Sequence, residues 1–512
     1  MIMTFFSSTA VPLTRSPPYA RMTRCCVIAG RRVVFFRVVC IRAAVLLTGI
    51  LMGLIGSPYD TSAHFEREET SPRALDALIE ATMRPLAAWD GAWFLAIARA
   101  GYSHEQCYAF LPGFPFALRL ASFLLTPLAP FASAPARALL AGVFLNFCAG
   151  VVAALSLRAL SRLAGRGRSG NARVPGRDAI AAAATPAGVF FAAVYSEPLF
   201  CALTFAGMAC LEAAPLRSAA RTRVVSGATE EGARARERGK ALPPPGALVG
   251  GLDLLLFFSG TALLTAASAV RANGMLGSAF IALAAARGLL SRHGLRSGSQ
   301  LCADIALFLA ALLPFVPLTV HQWGAWLRLC GRTDAPAWCD ARALIPPAPP
   351  VYAEVQARYW GVGGPFSRWT VEHAPALALA FPVVVLATSA LAFRVIQKSR
   401  ETARSPRLLA NIATDVLSLD PARPHVLYYA HCAALVALAV VAAHAQIATR
   451  LAAAASPVVA WAISDVWAWA SEETPARAWG CTRALLRASI MLWIVGYTAV
   501  GSALFVNWFN WT

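Results

Sequence analysis

"TPAGVFFAAVYSEPLFCALTF", residues 185–205, is long enough to cross a membrane but carries a Tyr-Ser-Glu-Pro turn in its middle. A span needs about 20 apolar residues for ~30 Å of hydrocarbon. Pro186 and Pro198 forbid one continuous helical ladder here. On either side lie the Arg-rich linkers 161–177 and 216–240, which the positive-inside rule assigns to the cytosol. With both linkers inside, the turn at 195–198 must reach the far side. Irregular backbone at membrane depth is tolerated only where it lines a cavity. The same reading applies to "SAVRANGMLGS", 268–278, where Arg271 and Asn273 interrupt apolar sequence.

The rest of the chain agrees. Its 512 residues are 58% hydrophobic and only 14% charged, against about 45–50% apolar and 25% charged in soluble domains. The fold expected is an all-α polytopic membrane protein with room for eight to eleven spans. The net charge of +19 comes largely from Arg between apolar runs. It reads as topology rather than as nucleic-acid binding, and no helix-turn-helix or RNA-binding pattern competes. Residues 1–32 carry Arg15, Arg21, Arg24, Arg31 and Arg32 and no acid. They read as a basic cytosolic segment before a retained signal anchor at 33–56.

The organisation that follows is a far-side segment 57–110, a bundle 111–320, a far-side loop 321–373 and a C-terminal bundle 374–512. The short stretch 447–456 also falls on the far side. Linker 216–240 is Arg/Gly/Glu-rich and is expected to be disordered. One conflict remains. If 111–131 and 137–160 both span, linker 161–177 lands outside, against its charge; either one of the two is re-entrant or the charge rule fails locally. The 12 Cys show no metal-ligand spacing, and no metal site is expected. Cys330 and Cys339 sit in a polar loop, where an oxidising compartment would let them pair.

Ionisable residues within apolar sequence are functional hypotheses, because inserting one costs ~2.5–3.5 kcal/mol on translocon scales. "AAWDGAWFLAIARAGY", 87–102, is interrupted by Asp90 and Arg99 and reads as an amphipathic segment lying at the interface. Asp90, Glu197, Arg271 and Arg450 fall on one predicted face, and Arg358 and His373 of the 321–373 loop join them. Each has an ordinary explanation. Asp90 suits an N-cap, Glu197-Pro198 a helix start, Arg271 a structural ion pair and Arg450 an interfacial snorkel. Taken together, a carboxylate can take a proton from a hydroxyl, guanidinium groups can hold a departing phosphate, and aromatic rings suit sugars. Glycosyl transfer from a lipid-linked phosphosugar uses all three. No P-loop, Rossmann glycine pattern, H-E-x-x-H or G-x-S-x-G occurs.

Several segments in order resemble the GPI mannosyltransferase 2 (PIG-V) family. They are "WDGAWFLAIARAGY" (89–102) with "YAFLPGFPFAL" (108–118), "TPAGVFFAAVYSEPLF" (185–200), "RANGML" (271–276), the block 338–383 beginning "WCDARALIPP", "AHAQIATRLAAAASPVVAW" (443–461) and "NWFNWT" (507–512). The linker 216–240 has no counterpart, and 397–424 and 462–486 match weakly.

The resemblance implies an endoplasmic-reticulum enzyme of C-type glycosyltransferase architecture, with its site on luminal loops. It implies dolichyl phosphate mannose as donor and a monomannosylated glucosaminyl-phosphatidylinositol, the GPI precursor, as acceptor. The product is an α1,6 bond formed with inversion, and no cofactor is needed. It also allows for a small accessory membrane subunit. On this reading Asp90 is the catalytic base. Trp89, Glu197, Arg271, Asn273, Arg358, Tyr359, Trp360 and Arg450 are candidate substrate-binding residues, although Tyr359 and Trp360 also read as core packing. Two rivals stay open: a C-type mannosyltransferase with another acceptor, and a polytopic transporter or lipid flippase. The flippase predicts an inverted repeat, and none is visible between the halves.

Overall fold

Hydrocarbon offers the backbone no hydrogen-bonding partner, so apolar runs of this length must satisfy their own N–H and C=O groups as helices. A computed structural model shows that outcome, with no strand among the described residues. The structure describes residues 19–59, 73–128, 132–166, 174–227, 251–290, 298–331, 333, 335–340, 351–361, 366, 369–402, 426–443, 447–471 and 480–509. Seven helical stretches among them are long and apolar enough to span, and an eighth is a pair bent by 92°. The chain is therefore a multi-pass membrane protein.

The first helix, α1 (Tyr19–Ile55), contains the N-terminal span. Two short helices follow, α2 (Ala74–Met83) and α3 (Asp90–Ala100), joined by a tight turn at Arg84–Ala87. Next come α4 (Gly113–Leu124) and α5 (Ala134–Leu163). Their lengths remove the topological conflict. At 1.5 Å per residue, the 12 residues of α4 reach only ~18 Å, too short to cross, whereas the 30 of α5 suffice. Only α5 crosses, so the linker after it returns to the side of the N-terminus, as its charge requires. Helix α4 instead turns Phe116, Leu120, Phe123 and Leu124 outward as an apolar face.

The 185–205 stretch is broken as its prolines demand. Helix α6 (Val174–Ala183) stops, the chain makes a tight turn at Gly188–Phe191, and α7 (Glu197–Gly227) starts at Glu197. Side chains satisfy the freed backbone. Fully buried Asn146 of α5 donates Nδ2–H to the carbonyls of Ala193 and Tyr195, the latter at 2.8 Å. Buried Arg42 of α1 donates to the carbonyl of Ala183 at 3.3 Å, where α6 ends. Of the linker expected to be disordered, 216–227 continues α7, and 228–240 lie outside the described residues.

Helix α8 (Gly251–Val270) packs along α7, and their backbones meet at Gly207 and Gly260. The turn Ala272–Gly277 and α9 (Ser278–Leu290) follow. Then α10 (Gly298–Leu309) and α11 (Val316–Leu329) form one span through the turn Ala310–Phe315. A disulfide joins Cys330, just after α11, to Cys339, closing the open question about that pair. Helix α12 (Val351–Trp360) caps this loop. The C-terminal bundle is α13 (Ala374–Thr402), α14 (Val426–Ala442), the bent pair α15 (Ala448–Ala455) and α16 (Val458–Ala470), and α17 (Gly480–Val506).

Two ends of the bundle are locked differently. At one, Arg166 bonds both Asp178 (2.8 Å) and Asp465 (2.6 Å) and lies over the Trp461 ring. At the other, the C-terminal ends of α1, α8 and α17 meet the start of α4 and the Arg84–Ala87 turn. Tyr59 N–H donates to Asn507 O at 2.8 Å, and Gly53 faces Pro85. Gly113 lies so close to α8 that a Cβ there would sit 2.6 Å from the Ala269 carbonyl. Gly113→Ala should therefore lower the melting temperature of the detergent-solubilised protein by several degrees, as overpacking costs about 1–3 kcal/mol. Gly324→Ala, where a Cβ meets nothing within 4 Å, should leave it unchanged or slightly raised.

Candidate active site

Four elements deliver charge to one place. Asp90 opens α3, Glu197 opens α7, Arg271 follows α8, and Arg450 lies in α15. Glu197 is the hub. Its Oε1 lies 2.6 Å from Arg271 Nη1 and 2.7 Å from Arg450 Nε. The Glu197 side chain is 1% exposed, so a carboxylate this deep is stable only because two cations compensate it. Arg450 also reaches out with Nη2 to Asp90 Oδ2 at 3.3 Å. Its guanidinium is sandwiched against Phe190 and Tyr195, 5.0 and 5.4 Å from the ring centroids. Ser196 accepts from Arg271 at 2.9 Å. The four ionisable residues singled out in the sequence thus form one chain: Asp90, Arg450, Glu197, Arg271.

The two carboxylates are not equivalent. The Asp90 side chain is 27% exposed, and Arg271 is 16% exposed, so the chain opens at both ends while Glu197 stays sealed. Burial pushes the Asp90 carboxyl above the usual aspartate range, with Arg450 pulling the other way, Glu197 adding to the rise and Arg271 opposing it. Asp90 is not an N-cap. It is the first helical residue, and Trp89 takes the cap position in a left-handed conformation, φ 57° and ψ −124°. Such backbone is strained in a non-glycine residue. It is held by the Trp89 indole, which donates to Phe505 O at 3.3 Å and packs on Trp508. The Asp90 backbone N–H donates to the Tyr195 hydroxyl at 3.1 Å. A partly accessible acid beside a guanidinium chain can deprotonate a hydroxyl and hold an anion. Among the described residues, no group of three or more His, Cys, Asp or Glu side chains gathers as a metal site.

The sequence profile of the mannosyltransferase (PIG-V) family matches residues 31–512. The chain belongs to that family. It is 28% identical over 474 residues to GPI alpha-1,6-mannosyltransferase 2 of Cricetulus griseus, covering 84% of this chain and 83% of that one. It is 26% identical to the Homo sapiens protein of the same name over 465 residues, with the same coverage. It is 30% identical over 349 residues to GPI mannosyltransferase 2 of Aspergillus oryzae, covering 66% and 68%. Among solved structures, the Archaeoglobus fulgidus oligosaccharyltransferase aligns with 92% of this chain at 10% identity and a TM-score of 0.40. This chain spans 56% of that protein's length, and the likeness is too slight to carry an argument.

Other residues expected at the site of this PIG-V family member make no ion pair with the chain of four among the described residues. Tyr359 donates its hydroxyl to Glu105 at 3.1 Å, and exposed Arg358 lies 6.0 Å over the Tyr359 ring. Trp360 packs on Trp93 and Phe110. These contacts dock α12 onto the Glu105–Ala109 turn and, through Trp93, onto α3. His373 bonds Thr370 at 2.7 Å. Asn273 lies two residues after Arg271, with its amide Nδ2 buried and unpartnered. The structure also adds residues that the sequence did not single out. Tyr352 of α12 is within electrostatic reach of Arg271, Asp90 and Arg450, and burial raises its phenol. Tyr195, Phe190 and Trp508 shape the cluster. Only Tyr195 had a signal, as the neighbour of Ser196 and Glu197 in the turn.

Glu197→Ala removes the acid that Arg271 pairs with and leaves Arg450 only its longer bond to Asp90, at 3.3 Å, and should destabilise the protein by about 3–5 kcal/mol. Thermal unfolding in detergent reads this out, and adding Arg271→Gln to the Glu197→Ala variant, which removes the cation left without its acid, should recover part of the loss.

Proposed function

We propose that the protein transfers the second mannose, through an α1,6 bond, from dolichyl phosphate mannose to the mannosyl-glucosaminyl-phosphatidylinositol precursor of the GPI anchor. The reaction takes place on the luminal side of the endoplasmic-reticulum membrane, in a C-type glycosyltransferase architecture. Family membership over residues 31–512 and relatives named GPI alpha-1,6-mannosyltransferase 2 support the substrate and linkage. The observation that carries the chemistry is that Asp90 is the partly open carboxylate of the ion-pair chain, while Glu197 is sealed.

The steps follow from that geometry. Arg450 orients Asp90 through Nη2 and keeps a cation beside it. One Asp90 oxygen accepts the proton of the acceptor's 6-hydroxyl. That hydroxyl oxygen attacks the anomeric carbon of the donor mannose from the face opposite the phosphate. The bond from the anomeric carbon to the phosphate oxygen breaks, its electron pair leaves with dolichyl phosphate, and the configuration inverts. Arg271, open at the other end of the chain, holds the departing phosphate. A guanidinium suits this because its donors form a fixed fork. Glu197 does not react. It holds Arg271 and Arg450 in register, and Trp89 fixes where α3 begins. Tyr352 closes the cluster from α12.

Asp90→Asn should abolish mannose transfer in microsomes while the protein is still made and inserted. With wild-type protein, kcat/KM should fall as pH drops through a carboxyl pKa above the usual aspartate value. The sign follows from the base having to be ionised, and its pKa being raised by burial. Depleting the protein from cells should accumulate a GPI precursor with one mannose. Accumulation of any other species would reject this acceptor.

A further inference from the structure

A cleft of about 430 Å³ lies just beyond the C-terminal end of α3, and none of the four ion-pair residues lines it. Tyr102, Ser103, His104, Glu105, Arg328 and Pro336 line it. Asp90 begins α3 and Tyr102 follows its last turn, so the 11-residue helix separates cleft from acid by ~16 Å.

The walls are fixed. The Tyr102 ring stacks on Tyr108 at 4.9 Å and donates its hydroxyl to Phe110 O at 2.9 Å. Glu105 accepts the Trp338 indole N–H and the Tyr359 hydroxyl, each at 3.1 Å, on separate oxygens. Ser103 Oγ lies 2.9 Å from His104 Nδ1. Arg328 differs from these: it is exposed and forms no ion pair with another described residue. Its depth is also informative. Arg328 sits in the last turn of α11, and Val320, Trp323 and Leu327 just before it are exposed apolar residues on the same span. A cation at the end of a lipid-facing helix lies at headgroup depth.

Building on the function proposed above, we infer that this cleft is a subsite for the phosphate-bearing headgroup of the lipid-linked acceptor. Arg328 and His104 take the phosphate. Tyr102, Ser103 and Glu105 face the hydroxylated ring attached to it. The donor has a lipid phosphate too, but that phosphate is bonded to the carbon under attack and must lie beside Asp90. The acceptor's phosphate is separated from its reacting hydroxyl by mannose, glucosamine and inositol. A phosphate site one helix length from the acid fits the acceptor alone.

The test compares wild-type protein with Arg328→Gln, using dolichyl phosphate mannose and two acceptors. One is the mannosyl-glucosaminyl-phosphatidylinositol precursor, and the other is the phosphate-free mannosyl-glucosaminyl-inositol. Loss of a charge-assisted hydrogen bond should raise KM for the phosphate-bearing acceptor about tenfold or more. The rise with the phosphate-free acceptor should be several times smaller, and donor KM should stay unchanged. His104→Gln should act in the same direction. Equal effects on both acceptors, no effect, or a rise in donor KM would overturn the inference while leaving the activity intact. Absence of mannose transfer by the wild-type protein to either acceptor would overturn the proposed function itself, and this subsite with it.

Discussion

A carboxylate closed off from water between two guanidinium groups sets the terms for the rest of this protein. A Glu197 carboxylate at 1% exposure depends on Arg271 and Arg450 for compensation, and it is the acid that both cations share. The three come from separate elements, at the start of α7, just after α8 and within α15. Their mutual dependence therefore fixes how α7, α8 and α15 come together. It also fixes what remains available at the ends of the chain: Asp90 held by Arg450 on one side, Arg271 on the other. In this sense the buried pair is a scaffold for the two groups that reach outward.

Building such a centre requires irregular backbone where the membrane tolerates little of it. The break between α6 and α7 is acceptable because Asn146 and Arg42 satisfy its carbonyls. The left-handed turn at Trp89 is acceptable because its indole is anchored on Phe505 and Trp508. Trp89 and Trp508, which pack on each other beside the cluster, both carry positive φ. The opposite end of the bundle is tied by Arg166, Asp178 and Asp465, where the bonds serve packing.

The ionisable core of the site was legible in the sequence for a simple reason. Asp90, Glu197, Arg271 and Arg450 interrupt apolar runs, where a charge without a purpose is expensive. Their grouping on one face followed from charge-based topology, and their pairing order did not, because no sequence pattern says which cation meets which acid. Asp90 also suited an N-cap, and it is the folded backbone that puts Trp89 in that position. The aromatic pair Tyr359-Trp360 and the neighbouring Arg358 looked equally suited to sugars and to packing; their partners, Glu105 and Trp93, are about 250 residues away in the chain. Tyr352 was invisible for the same reason, since its relation to the cluster exists only once α12 is docked. The conflict over 111–160 yielded to helix length, which the prolines and small residues near 125–135 obscure in sequence.

Transfer between two lipid carriers on the luminal side requires Asp90 to open to the lumen. In sealed microsomes from cells expressing Asp90→Cys in an otherwise cysteine-replaced chain, a membrane-impermeant maleimide should label position 90 only after the luminal face is opened with a pore-forming detergent. Labelling of that position in intact microsomes, from the cytosolic side, would contradict the luminal transfer of mannose between two lipid carriers.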